Sequence, residues 1–249
     1  MNEPMTNGPT SSSHVELFVR AGQDGKCYGA SPFCQQVFMI LLLKADDDSL
    51  SFRVTTVNPA KSPPEFKKLS NRLPTLVHGN EVRKNSDEII EYIDETFPKP
   101  SLAYDDRNAE SVCLEVFSKF AYYLKEVSRS PTQLITELGK INEFLDAVGT
   151  RFLCGDHLTH LDCLMLPKLH HIRVTVKAYK DFEIPAEFRA LWRYLKNAYE
   201  TDTFQKSCPS DQEIVYYWSE KPETPQLPTE AAVKYAPTGD PFYSWDTPL

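Results

Sequence analysis

One four-residue motif, Ser31-Pro32-Phe33-Cys34, holds the residues best placed to do chemistry in this chain. It follows a strand-like run at residues 15–19 and opens a helix, so it puts a hydroxyl and a thiol at the helix start. A thiol in a first helical turn gains from unpaired amides and the positive helix end, which favour the thiolate. One turn further in it faces the core, where burial raises a thiol pKa. For Cys34 both readings stand: a packed core thiol, or a redox-sensitive one. A Cys-x-x-Cys site would carry its nucleophile at position 31, and here that residue is serine. Ser31 reads as an N-cap with Pro32 at the first helical position, because proline removes an amide that has no partner there. It also reads as a hydroxyl donor to a bound anion, although no neighbour in sequence supplies a general base to make it a nucleophile.

A second cluster lies about forty residues on. Arg72-Leu73-Pro74-Thr75-Leu76 places a proline just before a strand, and Asn85-Ser86 opens the next helix, whose first amides suit a carboxylate. Scattered polar residues do not add a metal site: the six cysteines and six histidines show no ligand spacing, and none is expected.

The elements that position these clusters follow from periodicity. Residues 15–19 alternate, with Val15, Leu17 and Val19 on one face. A helix from Pro32 runs through the apolar stretch 37–43. The acidic turn Asp46-Asp47-Asp48 then leads to a strand at 50–57. A short amphipathic segment at 65–69, a hairpin at 75–84 around Gly79-Asn80, and a helix at 86–97 complete a small α/β domain over 14–98. After Pro98-Lys99-Pro100 the period becomes helical throughout 101–218. A capping box is expected at Thr159…Asp162, and late helices at 185–199 and 209–218. Residues 1–13 read as a flexible start. Residues 219–249 read as a proline-rich aromatic tail, either a partly ordered strap on the helical domain or a partner-binding peptide.

Composition sets the class. With 35 acidic against 27 basic residues and a net charge of -8, non-specific nucleic-acid binding is not expected. The polar start lacks the apolar stretch of a secretory signal, and the cysteines are too dispersed for a disulfide scaffold, so a cytosolic protein with free thiols is expected.

Several separated motifs then converge. Val15-Glu16-Leu17-Phe18-Val19-Arg20-Ala21 and Ser31-Pro32-Phe33-Cys34-Gln35-Gln36 stand with Phe152-Leu153-Cys154-Gly155-Asp156, Leu158-Thr159 and Asp162-Cys163. To these are added Leu166-Pro167-Lys168-Leu169-His170 and Ser207-Cys208-Pro209-Ser210-Asp211. Together they resemble the chloride intracellular channel (CLIC) family over most of residues 15–218. More broadly, the Leu73–Leu76 segment, the Ser86 helix start and the Thr159–Asp162 box are similar to the glutathione transferase superfamily, especially its omega class. The resemblance implies a glutathione transferase fold, α/β plus all-α, with a thioredoxin-like N-terminal domain and a helical C-terminal domain. It implies a monomer, soluble in the cytoplasm, that associates reversibly with lipid membranes and conducts chloride or other anions. The vertebrate members' acidic insertion is missing between residues 145 and 152, so an invertebrate-like member is the better match.

The resemblance also implies glutathione as a ligand. Pro74 would be cis, Leu73 would pair with the cysteinyl part through its backbone, and Asn85 and Ser86 would hold the γ-glutamyl carboxylate, with Ser31 and Phe33 beside them. Redox-active members carry a cysteine where this chain has Ser31. Glutathione-dependent transferase or thiol oxidoreductase activity, the alternative function, is therefore expected to be weak or absent. A spanning helix needs about 20 apolar residues, and the run ending at Leu43 is interrupted by Lys44 and Asp46-Asp47-Asp48. Membrane entry would require the first domain to open.

Overall fold

The structure, a computed structural model, describes residues 14–46 and 50–249. The expected flexible start at 1–13, and Asp47 and Asp48 of the acidic turn, lie outside them. The first domain runs β1 (His14–Arg20), α1 (Pro32–Lys44), β2 (Ser51–Val57), α2 (Pro64–Leu69), β3 (Thr75–His78), β4 (Glu81–Arg83) and α3 (Ser86–Thr96), with a single 3-10 turn at Pro59–Lys61. The sheet order is β2-β1-β3-β4. β1 pairs with β2 in parallel, Leu17 opposite Val54, which requires the crossover that α1 supplies. It pairs with β3 antiparallel, Leu17 opposite Leu76. The alternation along β1 sends Val15, Leu17 and Val19 into the core, all fully buried.

The second domain is helical: α4 (Arg107–Cys113), α5 (Val116–Leu124), α6 (Thr132–Val148), α7 (His160–Lys180), α8 (Arg189–Tyr199), α9 (Asp202–Ser207), α10 (Asp211–Ser219) and α11 (Thr229–Lys234). α6 stops at Gly149, whose φ of 65° suits glycine, and the chain passes quickly to α7. α7 is its central rod, buried along most of its length.

α1 packs across the domain boundary against α7 and α9, and against α3 within its own domain. This explains its apolar run: Val37, Met39, Ile40 and Leu41 are fully buried between these partners. Lys44 at its end is buried and pairs with Asp94 of α3 at 2.8 Å. Asp94 also takes His160 Nε2 of α7 at 2.7 Å, so one carboxylate ties three elements.

Several boundaries differ from the sequence expectation. The helix expected at 185–199 starts at Arg189, because Asn142 Oδ1 accepts the Ala190 and Leu191 amides and fixes the helix entry there. The helix expected from 209 starts at Asp211, capped by Ser210. The short α9 and α11 carry too little periodicity to be seen in sequence. The tail is strapped down rather than loose. Asp211 accepts from the Ser244 amide and hydroxyl, Arg173 holds the carbonyls of Ser244 and Asp246, and Tyr235 stacks on Phe242.

The buried imidazole of His171 makes the fold acid-sensitive. Its Nδ1 accepts the Trp218 indole N–H at 3.1 Å, so that nitrogen must be free of its own proton. Burial, then the Lys221 charge, pushes its pKa down to about 3. The unfolded value is near 6.5, so the unfolded chain binds the extra proton. Stability is therefore full above about pH 6.5 and falls as the pH drops towards the folded pKa. By pH 5 the loss from this one group is about 2 kcal/mol. Urea unfolding at pH 7 and pH 5 should show that loss, and H171Q, which has no imidazole to protonate, should remove about that much of the difference. An H171Q chain with the parent's full pH dependence would refute this origin.

Candidate functional site

The site forms where the N-terminus of α1 meets the turn before β3. Ser31 caps α1: its φ of -154° is extended, and its Oγ accepts the Cys34 amide at 3.4 Å. Across from it the Leu73–Pro74 peptide is cis. The turn is braced by Thr75 Oγ1 donating to the Arg72 carbonyl at 2.7 Å and by Ser70 Oγ accepting the Arg72 amide at 3.0 Å. Two clefts open on either side of Leu73. One, of about 550 Å³, runs past Phe33, Gln36, Pro74, Asn85 and Ser86. The other, of about 280 Å³, is bounded by Arg20, Ser31, Phe33, Phe66, Leu73, Tyr217 and Lys221.

Every sequence-selected site residue except Cys34 lines one of these clefts: Phe33 and Leu73 line both, Ser31 the smaller, Pro74, Asn85 and Ser86 the larger. Cys34 is fully buried behind Ser31. Burial raises its pKa, and the partial offsets come from Arg20 and Ser31. Of the two readings left open by the sequence, the packed thiol fits this placement, since a thiol without access to solvent or ligand has no route to react. Ser86 is not the cap of α3; Asn85 is, accepting the Glu88 amide at 3.0 Å, with Ser86 at the first helical position.

The residues present fit a short peptide. Among the described residues, the Leu73 main-chain groups make no protein hydrogen bond, which leaves them for a bound backbone. The start of α3 opens into the same groove, although Asp87 there opposes a carboxylate. Bound glutathione would supply a thiol at the cap of α1. What this chain brings to that thiol is hydroxyl and positive charge, not a second accessible sulfur.

The smaller cleft contains groups that sequence reasoning did not select. Tyr217 of α10 reaches across the domain boundary to interact with the Ser31 hydroxyl. Burial, then Cys34, pushes its pKa up to about 12, and the Ser31 hydroxyl, as a donor to the phenol oxygen, partly offsets that. The Arg20 guanidinium lies 5.6 Å from the Tyr217 ring centre and the Lys221 ammonium 3.9 Å from it. Arg20 is ion-paired with Glu220. No local signal in residues 211–221 indicates that this segment faces Ser31.

The fold and the cleft have counterparts in known proteins. Residues 13–100 match the CLIC-like N-terminal domain family, and residues 125–197 match the glutathione S-transferase C-terminal domain family. The chloride intracellular channel exl-1 of Caenorhabditis elegans is 35% identical over 224 residues, spanning 88% of this chain and 93% of the relative. The chain belongs to the CLIC family. The crystal structure of the CLIC homologue EXC-4 from C. elegans superposes with a TM-score of 0.82 at 26% identity, covering 94% of each chain. Chlamydomonas reinhardtii dehydroascorbate reductase shares the fold, with a TM-score of 0.72 at 23% identity over 82% of this chain and 97% of its own. The CLIC assignment agrees with the two-domain architecture, a thioredoxin-like α/β half followed by a helical half.

Proposed function

We propose that this CLIC-family chain is a cytosolic monomer that associates reversibly with lipid membranes and conducts chloride or other anions, and that its groove at Pro74 binds glutathione without redox turnover. The observation that carries the second half is the state of the two candidate groups: Ser31 is a helix cap with no thiol, and Cys34 is sealed in the core. The first half is supported by the likeness to a relative named as a chloride intracellular channel.

Among the described residues no helix is long and apolar enough to cross a membrane. α1 has 13 residues, against the roughly 20 that a bilayer requires. Conduction therefore demands a rearrangement of the closed two-domain form. Acid favours that rearrangement by loading the buried imidazole of His171 and by neutralising carboxylates that would otherwise enter lipid. The test is chloride efflux from liposomes at neutral and acidic pH, run beside glutathione-dependent disulfide reduction and conjugation. Lipid-dependent efflux that rises in acid, with little turnover, is the expected result. Robust turnover without efflux would replace this reading by a glutathione-dependent transferase or thiol oxidoreductase. The Ser31 and Tyr217 hydroxyls beside the thiol position are the feature that favours this second reading.

A further inference from the structure

We propose that Thr247 is a phosphorylation site for a proline-directed protein kinase, and that the cations around it seat the phosphate and tighten the C-terminal strap. The sequence holds five steps in which Ser or Thr precedes Pro, at residues 31, 62, 130, 224 and 247. Four of the hydroxyls are already engaged or enclosed. That of Ser31 caps α1, that of Ser62 donates to the Asn58 carbonyl at 3.1 Å, and that of Ser130 shares a 2.6 Å hydrogen bond with Thr132 at the start of α6. The Thr224 hydroxyl oxygen is sealed from solvent. Thr247 is partly exposed, and its hydroxyl has no hydrogen-bond partner among the described residues. It lies in a stretch, 240–249, that forms neither helix nor strand and so can enter a kinase cleft extended.

Positive charge is gathered around it. Thr247 lines a cavity of about 520 Å³ between α7, α8, α11 and the tail, together with Arg173, Lys177 and Lys234. Arg173 donates to the carbonyl of Asp246, the residue before Thr247, at 2.6 Å and to its carboxylate at 3.1 Å. Lys177 is shared by Asp181 and Glu183. Lys234 has no carboxylate within ion-pair distance among the described residues; it packs on the rings of Tyr235 and Phe242. A phosphate brings nearly two negative charges and three acceptor oxygens. On Thr247 it would share Arg173 with Asp246 and take the free ammonium of Lys234, joining α7, α11 and the tail by charge-assisted hydrogen bonds. In the transfer the Thr247 Oγ1 attacks the γ-phosphorus of ATP. The new P–O bond forms as the bridging bond to the β-phosphate breaks, ADP leaves, and the hydroxyl proton passes to the kinase's base.

The test uses the full folded chain. A mitogen-activated and a cyclin-dependent kinase are each applied with ATP, and the product is mapped by mass spectrometry and titrated by phosphorus NMR. Phosphate should enter at Thr247, and T247V should lose that uptake. The second pKa of the phosphate, about 6 in an unfolded chain, should be lower in the folded protein by about half a unit or more, because the cations favour the dianion. Urea should return it to the unfolded value. K234Q should give back about half of the shift, while K67Q, in the other domain, leaves it unchanged. Thermal melts establish that both variants fold. If K234Q does not, high salt on the phosphorylated parent serves instead, and should shrink the shift. Uptake at other steps but not at Thr247, no uptake by the folded chain with either kinase, or the same phosphate pKa folded and unfolded would overturn the proposal.

Discussion

Replacing Ser31 by cysteine is expected to turn a cleft without an accessible thiol into a thiol site. The new sulfur would stand at the cap of α1, against the positive helix end and near Arg20 and Lys221, the surroundings that lower a thiol pKa from its usual value near 8.5. Each unit of lowering raises the thiolate fraction near neutral pH by up to about tenfold. Bound in the neighbouring groove, oxidised glutathione would be attacked by that thiolate. A mixed disulfide would form, one glutathione thiolate would leave, and Cys34 would be the sulfur behind it. Ser31 is only 6% exposed, so small reagents such as iodoacetamide are the right probes. Their rate against pH should show a low-pKa group in S31C that the parent lacks, with glutathione-dependent reduction appearing alongside it. The lost serine cap should cost about 1 kcal/mol, too little to confuse the outcome. A parent that turns over as fast as S31C would show that Ser31 is not what silences the site.

The largest loss of stability is expected at Asp162. Its carboxylate is fully buried and accepts four hydrogen bonds: from the Leu153 amide at 3.0 Å, the Thr159 amide at 2.9 Å, the Thr159 hydroxyl at 2.7 Å and the Tyr194 hydroxyl at 3.0 Å. It therefore closes the start of α7, fixes the loop at residue 153 and reaches α8. D162A strands those donors in the core, and leaving buried partners unpaired costs far more than the net worth of the bonds themselves. The expected destabilisation is about 3–5 kcal/mol, or a fall of roughly 10 °C in Tm for a chain of this size. D162N should fare little better, because its amide nitrogen meets donors where acceptors are needed. Chemical and thermal unfolding of both variants would check this, and a loss under about 1 kcal/mol for D162A would contradict it.

What the sequence made legible was local. The Ser31 cap, the box at Thr159 and Asp162, the turn before β3 and the switch of periodicity near Pro98 each depend on neighbours within a few residues, and each stands where expected. The candidate groove residues were selected on the same local signals. Tyr217 and Lys221 were not, since their role arises only when α10 is laid against the first domain, and no period along residues 211–221 encodes that meeting. Cys34 was ambiguous because the run 37–43 in α1 is apolar throughout, so its pattern names no inner face. The tail was ambiguous because it is held at Ser244 by single polar anchors, Asp211 and Arg173, rather than by a repeating stripe.

Tyr217 and Lys221 belong to one domain, and Arg20, Ser31 and Leu73 to the other. Whatever occupies the space between them can bind only while the two halves stay together. Occupancy is thus thermodynamically linked to closure: a ligand at a hundred times its Kd adds about 2.7 kcal/mol against any separation of the halves, and at a thousandfold about 4 kcal/mol. That is on the scale of the penalty that acid imposes through a buried imidazole. The concentration of a small solute and the local pH would then act on the same equilibrium with opposite sign, one as a clasp and the other as a lever.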